Sequence, residues 1–458
     1  MLTYNFDHVK IPLYQYIYQC LKKDITEGRL RANDKLPSKR TFAKNNGIST
    51  ITIQNAYDQL ISEGYIYTKP KQGYYVSDIS GLPKGQKNTP VSYHIITPPV
   101  SDEHLIDVSS PSYNPDNFPF SNWAKVMRNV ISSKKNELMK PTPSGGCREL
   151  REAIAWHLQS FKGMLVDPDQ IIIGAGTQYL YSLLIQILGP DKIYTVENPG
   201  YSKLMNIYQA HHVDCRLSSL DDKGLSIESL RKSQADIAHI SPAHHFPTGI
   251  TMPATRRYEI LAWANEDSHR YIIEDDYDSE FRSSGKPIPP IFSIDVSGKV
   301  IYMNTFSKTL ASTIRISYMV LPAHLANVFY NNFAFYSCTV SNFDQYALAE
   351  FIREGYFEKH INRMRLHYSR KRKEVLDLLA QSRYADICHV IENPAGLHFL
   401  IKIDTQKSDR EIVDLLKQKN IRIRALSEYF INSHMESQHQ FLVDYSNLNL
   451  ELLRNILC

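Results

Sequence analysis

The chain reads as two folds in tandem: a small winged helix-turn-helix, then a long α/β body whose mostly parallel sheet is covered by helices. A smaller α/β subdomain closes the C-terminal end. Three observations predict this. At 458 residues the chain exceeds what one hydrophobic core usually organises. Its character breaks between Ser77 and Glu103, where proline, glycine and polar residues replace periodic apolar patterns. Beyond the break, short apolar runs alternate with amphipathic helical stretches, as in a parallel sheet covered on both faces. The expected boundaries are 1–76 for the head, 77–103 for a flexible linker and 104–458 for the body, with the subdomain from about residue 330.

Hydrophobic content of 43% and charged content of 22% exclude a mainly disordered chain. No apolar run of about 18 residues suggests a membrane span. The segment from Met1 to Asp7 lacks the basic and apolar regions of a signal peptide, so a cytoplasmic location is expected. Cys20, Cys147, Cys215, Cys338, Cys388 and Cys458 show no metal-ligand spacing and read as reduced thiols. His244 and His245 are adjacent, a spacing that rarely puts two rings on one ion, and no metal is expected. Charge is uneven: residues 1–76 carry a net +5 and the rest a net −1. A basic head on a neutral body suggests a polyanionic partner for the head.

In the head, Pro12 to Glu27 has the period of an amphipathic helix, with Leu13, Ile17, Cys20 or Leu21, and Ile25 on one face. Ser38 is a natural N-cap for a second short helix, and Asn45-Asn46-Gly47-Ile48 makes the turn. Ser49 caps a third, with Ile53, Ala56, Tyr57, Leu60 and Ile61 facing inward. Thr50, Thr52, Gln54 and Asn55 are left exposed near its N-terminus. Tyr65–Thr68 and Gly73–Val76 form strands joined by Lys69-Pro70-Lys71-Gln72, a basic wing. Short polar residues at the start of the third helix can reach base edges in a major groove. Arg40, Lys69 and Lys71 suit phosphates. Ser38, Arg40, Ser49, Thr50, Thr52, Gln54, Asn55, Lys69, Lys71 and Gly73 are the expected contacts to double-stranded DNA.

In the body, a turn at Ser144-Gly145-Gly146 opens a helix. A strand at Gln170–Ile173 leads through Gly174-Ala175-Gly176-Thr177-Gln178 into a helix from Tyr179 to Leu188. A glycine-rich turn at a helix N-terminus offers backbone N–H groups to a phosphate. Ile272-Ile273-Glu274-Asp275-Asp276-Tyr277-Asp278 reads as a buried strand delivering acids at its carboxyl end. Val300 to Met303 is the next strand, running into Asn304-Thr305-Phe306-Ser307-Lys308, a polar turn with one lysine. Arg315 lies one or two helical turns beyond. A lysine desolvated at the end of a sheet strand is placed to form a Schiff base with a carbonyl. Together the lysine, the acid, Tyr277, the phosphate turn and the arginine meet the needs of pyridoxal 5′-phosphate (PLP).

Leu36-Pro37-Ser38-x-Arg40, the run from Thr52 to Tyr65 and Gly73-Tyr74-Tyr75-Val76 resemble the DNA-binding head of the GntR regulator family. An arginine is usual in that family after the serine that opens the recognition helix; Thr50 stands there here. From Ile106 onward the chain resembles fold-type I aminotransferases. Ser241–Gly249, Ile272–Phe281, Thr305-Phe306-Ser307-Lys308 and Ala395-Gly396-Leu397-His398 carry the likeness to the MocR-type chimeric regulators. The resemblance implies that Lys308 holds PLP, that Asp275 faces its ring nitrogen and that Tyr277 reaches its ring hydroxyl. Arg315, Thr305, Ser307, Gly176, Thr177 and Gln178 would surround the phosphate. Tyr201 would lie against the ring, and His244 belongs to the same cofactor set. It also implies a homodimer, domain-swapped in family members, whose effector is PLP or a PLP–amine adduct.

Members that sense γ-aminobutyrate carry an arginine two residues after the tyrosine, where Lys203 stands, and another near the segment Phe441–Leu448, which holds Asn447. Pro141-Thr142-Pro143 replaces a common tyrosine. Lysine is a point charge and not a bidentate fork, so an amino-acid carboxylate is poorly held, unless Arg422 or Arg424 supplies the cation. The expected function is therefore a PLP-sensing transcriptional regulator of vitamin B6 synthesis genes. The alternatives are a regulator answering to an amino acid or amine, and a working aminotransferase.

Overall fold

The computed structural model describes residues 2–6, 9–79, 106–109, 114–282, 288–391, 396–431, 438–446 and 448–457. Residues 80–103 of the expected linker, and Asn447, lie outside them. The chain divides into two compact units, Met1–Ser101 and Asp102–Cys458.

The first unit is built from α1 (Leu13–Thr26), β1 (Lys35–Leu36), α2 (Lys39–Asn46), α3 (Thr50–Ser62), β2 (Ile66–Lys69) and β3 (Gly73–Val76). Both serine caps form: Ser38 Oγ accepts from the Thr41 N–H and Ser49 Oγ from the Thr52 N–H, each at 3.1 Å. Each satisfies a backbone donor that the first helical turn leaves unpaired. Gly47 ends α2 in the left-handed region. Ile17, Leu21 and Ile25 of α1 meet Phe42 of α2 and Ile53, Ala56, Tyr57 and Leu60 of α3 in one core. Leu13, expected on that face, opens the helix and is exposed, and Ile61 is half-buried. The strand β1 was not expected. It pairs antiparallel with β3, which sits between β1 and β2. The N-terminal segment is also tied down: Tyr4 Oη donates to Asp24 Oδ2 at 2.6 Å, and the Asn46 amide donates to the Leu2 carbonyl at 3.2 Å.

The second unit begins with β4 (Ile106–Asp107). Its main sheet uses β5 (Ile171–Gly174), β6 (Tyr194–Asn198), β7 (Cys215–Asp221), β8 (Gly224–Leu225), β9 (Ile237–Ile240), β10 (Tyr271–Asp276), β11 (Val300–Thr305) and β12 (Ser317–Val320). Their order across the sheet is β5-β12-β11-β10-β9-β6-β7-β8. The central run β11-β10-β9-β6-β7 is parallel, and β12 is antiparallel to both of its neighbours. Strands β5, β9, β11 and β12 are buried throughout, which is why they read as unbroken apolar runs. The register sets Asp275 beside Met303 and Asp276 beside Asn304, so the carboxyl ends of β10 and β11 lie together.

The C-terminal subdomain adds β13 (Cys388–Ile391), β14 (His398–Ile403), β15 (Ile421–Arg422), β16 (Arg424–Ala425) and β17 (Gln440–Asp444). Its sheet, β13-β14-β17-β16, is wholly antiparallel and packs with the long helix Tyr356–Ala380. The subdomain also recruits β4, which pairs parallel with β15.

One buried ion cluster braces the end of β10. Lys162, the last residue of the helix Arg148–Lys162, reaches Asp276 at 2.5 Å and Glu280 at 3.5 Å, and also bonds Ser279. The Tyr302 hydroxyl donates to Asp276 at 2.8 Å. Burial and the neighbouring Asp276 keep the Glu280 carboxyl above the usual range, while Lys162 keeps Asp276 below it. Removing one partner of a buried ion pair strands the other charge. Lys162→Ala is therefore expected to destabilise the protein by about 3–5 kcal/mol. Urea denaturation followed by circular dichroism checks this, and a loss under about 1 kcal/mol, typical of a surface pair, would contradict it.

Candidate cofactor pocket and nucleic-acid interface

The acidic run at the end of β10 is divided by the strand's alternation. Glu274 and Asp276 point one way into structural roles. Glu274 accepts the Ile291 and Phe292 N–H groups at 3.0 and 2.9 Å and lies 3.8 Å from Arg257. Asp275 points the other way. Its Oδ2 accepts the Tyr181 hydroxyl at 2.5 Å and lies 3.7 Å from His239 Nε2; His239 Nδ1 in turn is 2.8 Å from the Tyr208 hydroxyl. Burial, then the charge of Asp275, pushes the Tyr181 phenol well above its ordinary value, so it stays a donor. Asp275 Oδ1 is buried and has no hydrogen-bond partner.

The polar turn holding the lysine is a one-turn helix, Phe306–Thr309, and leaves Lys308 half-buried. Thr305 Oγ1 caps it, accepting from the Ser307 N–H at 3.1 Å and from Ser317 Oγ at 2.8 Å. The Thr305 hydroxyl is thus engaged in building the turn. Ser307 Oγ is buried without a partner. Arg315 does not lie on a helix extending past Lys308, because the helix stops at Thr309. It sits in a left-handed turn (φ 53°) just before β12. Pairing of Ser317 with Gly174 brings it to the glycine turn, where its Nη2 donates to the Ala175 carbonyl at 3.4 Å. Gly176 caps the helix Thr177–Leu188, which starts two residues before the expected Tyr179, so the N–H groups of Thr177 and Gln178 belong to its open first turn. A Cβ on Gly176 would overlap the Arg315 guanidinium. Glycine there gives backbone donors, a helix N-terminus and a guanidinium one shared space, which suits an anion.

On the other side, the Tyr277 hydroxyl donates to the His244 carbonyl at 2.9 Å, and His244 Nδ1 lies 3.0 Å from Asp278. The His398 ring is 4.4 Å from that of His244, and a Cβ on Gly396 would collide with His244. This explains the Gly396-Leu397-His398 motif as a site wall. Burial, helped by His244 and Lys308, holds His398 well below its ordinary pKa, hence neutral. Tyr201 is exposed and meets Phe246 edge-on at 6.2 Å. Lys203 is exposed, and Arg422 lies 3.8 Å from Asp107. The charge of Arg424 acts on the phenol of Tyr429, which packs edge-on with Phe246. No group of three potential metal ligands occurs among the described residues.

Tyr181, His239 and Tyr208 were not singled out by sequence reasoning. Tyr181 follows Thr177 at i+4, and His239 is the one polar residue in a buried apolar strand; both were readable signals.

In the head, Ser38, Arg40, Ser49, Thr50, Gln54, Asn55, Lys69 and Lys71 are exposed, while Thr52 and Gly73 are half-buried. Ser38 and Ser49 spend their hydroxyls on capping. Lys69 stacks its ammonium over Tyr75 at 4.7 Å, which fixes the wing, and Lys71 takes the left-handed conformation at its tip. Ile51, on the third helix beside Thr50, is 71% exposed and was overlooked; a bare isoleucine there suits contact with a thymine methyl.

Glu197 is buried near Asp275; burial pushes its carboxyl up to about 8, and the Ser241 N–H at 2.9 Å only partly offsets this. The folded state therefore holds a proton that the unfolded state releases, so stability falls as pH rises from about 5 to about 8. Glu197→Gln removes that dependence. Its thermal midpoint is expected to gain on the parent steadily across this range, and a constant offset would show that Glu197 is ionised throughout.

Comparison with known proteins agrees with this arrangement. Residues 103–438 match the family model of aminotransferase class I and II, and residues 13–76 match that of bacterial regulatory proteins of the gntR family. The uncharacterized HTH-type transcriptional regulator YdeL of Bacillus subtilis is 36% identical over 91% of this chain and 89% of its own. The probable rhizopine catabolism regulatory protein MocR of Rhizobium meliloti is 28% identical over 97% of this chain and 92% of its own. The pyridoxine biosynthesis transcriptional regulator PdxR of Corynebacterium glutamicum is also 28% identical, over 90% and 87%. Among solved structures, kynurenine aminotransferase of Pyrococcus horikoshii shares the fold with a TM-score of 0.67 at 22% identity, covering 77% of this chain and 88% of that one. A GntR winged helix joined to a fold-type I aminotransferase-like body places this chain among the MocR-type chimeric transcriptional regulators.

Proposed function

We propose that the body senses PLP and that the head passes the response to an operator controlling vitamin B6 synthesis. The observation that carries this reading is a pair of buried polar atoms without partners, Asp275 Oδ1 at the end of β10 and Ser307 Oγ on the residue before Lys308. An unpaired buried polar atom costs free energy, and such atoms mark sites that a ligand completes. When bound, PLP supplies an aldehyde for the lysine and an electron-accepting ring. Asp275, held by Tyr181, would face the ring nitrogen and favour its protonated form, and Lys308 would supply the amine for the aldehyde. Arg315 would balance the phosphate charge, with Ser307 and the N–H groups of the first turn after Gly176 donating to it, while Tyr277 and His244 would lie on the side of the ring hydroxyl. Tyr201 would lie against the ring.

Support for a sensor over an enzyme comes from what lies beyond the ring. Lys203 is exposed where a guanidinium would grip a substrate carboxylate, and the relatives at 28% and above are named as regulators. The name of one of them, a regulator of pyridoxine biosynthesis, favours PLP itself as the effector. A second reading, in which a PLP–amine adduct is sensed, draws on Arg424, which reaches the aromatic group beside the pocket through Tyr429. The DNA-competent form is taken to be a homodimer, two heads meeting a two-fold operator.

The protein reconstituted with PLP is expected to show the visible absorption of a lysine-bound cofactor, and Lys308→Ala to lose it. A band that survives unchanged in the variant, or sustained keto-acid production by the parent, would overturn the reading. For the head, Arg40→Ala and Lys71→Ala should each weaken DNA binding across sequences and lower the salt slope by about 1. Equilibrium binding at several salt concentrations measures both, and unchanged slopes would remove these residues from the phosphate-contact face.

A further inference from the structure

The C-terminal subdomain encloses a cavity of about 310 Å³ that plays no part in the pocket described above. Val375 of the long helix forms one wall, Ile401 and Val443 of β14 and β17 the floor, and Ile412 of the helix Asp409–Gln418 the roof. The roof helix has apolar residues that are only half-buried, and Leu415 on it is 41% exposed. Among the described lining residues Lys419, just past the end of that helix, is the one with a charge.

Protein interiors are close-packed, with few voids larger than a water molecule. A cavity this size with apolar walls is poorly suited to water, which needs two to four polar partners, and well suited to an apolar guest. Its volume lies at the lower end for small-molecule sites. A single ammonium on the lining adds a preference for one anionic group.

The sheet's register shows what an occupant would touch. Phe399 pairs with Val443 and Leu400 with Leu442. Leu400 and Leu442 pack with Tyr429 and Phe246 on the side of the cofactor pocket, whereas Phe399, Ile401 and Val443 belong to the core on the cavity side. The cavity therefore lies behind the strand that presents His398 to His244. Val108, immediately after β4, and Ile421 of β15 also line it, so it borders the point where the body's first described strand is pinned.

We propose that this cavity is a second ligand site, taking an apolar monocarboxylate such as a medium-chain fatty acid, and that its occupancy alters the cofactor pocket through the shared sheet. The full-length protein loaded with PLP is titrated with decanoate by calorimetry, with 1-decanol as the uncharged control. Saturable binding of one decanoate per chain is expected. Val443→Trp, which fills the cavity, should weaken it at least tenfold. Lys419→Glu, at an exposed position, should weaken decanoate several-fold and leave 1-decanol unchanged. Absence of saturable decanoate binding, or equal binding by both variants, would overturn the site. In a second measurement, saturating decanoate should change the apparent PLP affinity by at least twofold in the parent and not in Val443→Trp; an unchanged affinity in the parent would overturn the coupling.

Discussion

A carboxylate at the end of a buried strand is unfavourable unless its charge is held, and Asp275 is held from one side only. Tyr181 donates to Oδ2 at 2.5 Å and His239 stands 3.7 Å away, while Oδ1 has no partner. The surroundings serve that arrangement. The flanking acids are drawn into the scaffold, Glu274 onto two backbone N–H groups and Asp276 onto Lys162. With its neighbours fixed, the strand presents Asp275 at a set height beside the end of β11. There the Thr305 cap folds one helical turn and positions Lys308.

Much of this was legible in the sequence, and the parts that were not share a physical reason. Local signals survived intact: both serine caps, the αL glycine after α2, the unbroken apolar strands and the glycine turn before an open helix end. Long-range pairing was less readable. Arg315 reads by spacing as a helical neighbour of Lys308, yet it reaches the glycine turn because β12 runs antiparallel between β11 and β5. Strand β1 has two residues and no alternation to read. The division of Glu274-Asp275-Asp276 into one pocket-facing role and two structural ones depends on which face of the sheet is which, information that lies in partners such as Lys162 and Arg257 far away in the chain.

One wall of the pocket, around His398, is built of packed rings. His244 and His398 pack there with tilted rings, Phe246 meets His398 and Tyr429 edge to face, and His398 is kept neutral by burial. Beyond the rings, the charge of Arg424 acts on the Tyr429 phenol. Such a wall closes around a flat ring more readily than it grips a second carboxylate. In the head, short polar residues and Ile51 are exposed at the start of α3, the helix corresponding to the one whose N-terminal residues meet base edges in helix-turn-helix proteins, and the capping serines fix its end.

The central claim is that PLP held by Lys308 sets the affinity of the head for DNA. It is tested most directly by measuring operator binding of the full-length protein at equilibrium, with and without PLP and without any added amine, alongside Lys308→Ala. The account predicts that PLP alone shifts the operator affinity of the parent protein and leaves that of Lys308→Ala unchanged. A parent protein whose affinity moves only when an amine is added together with PLP, or a variant that responds as the parent does, would contradict it.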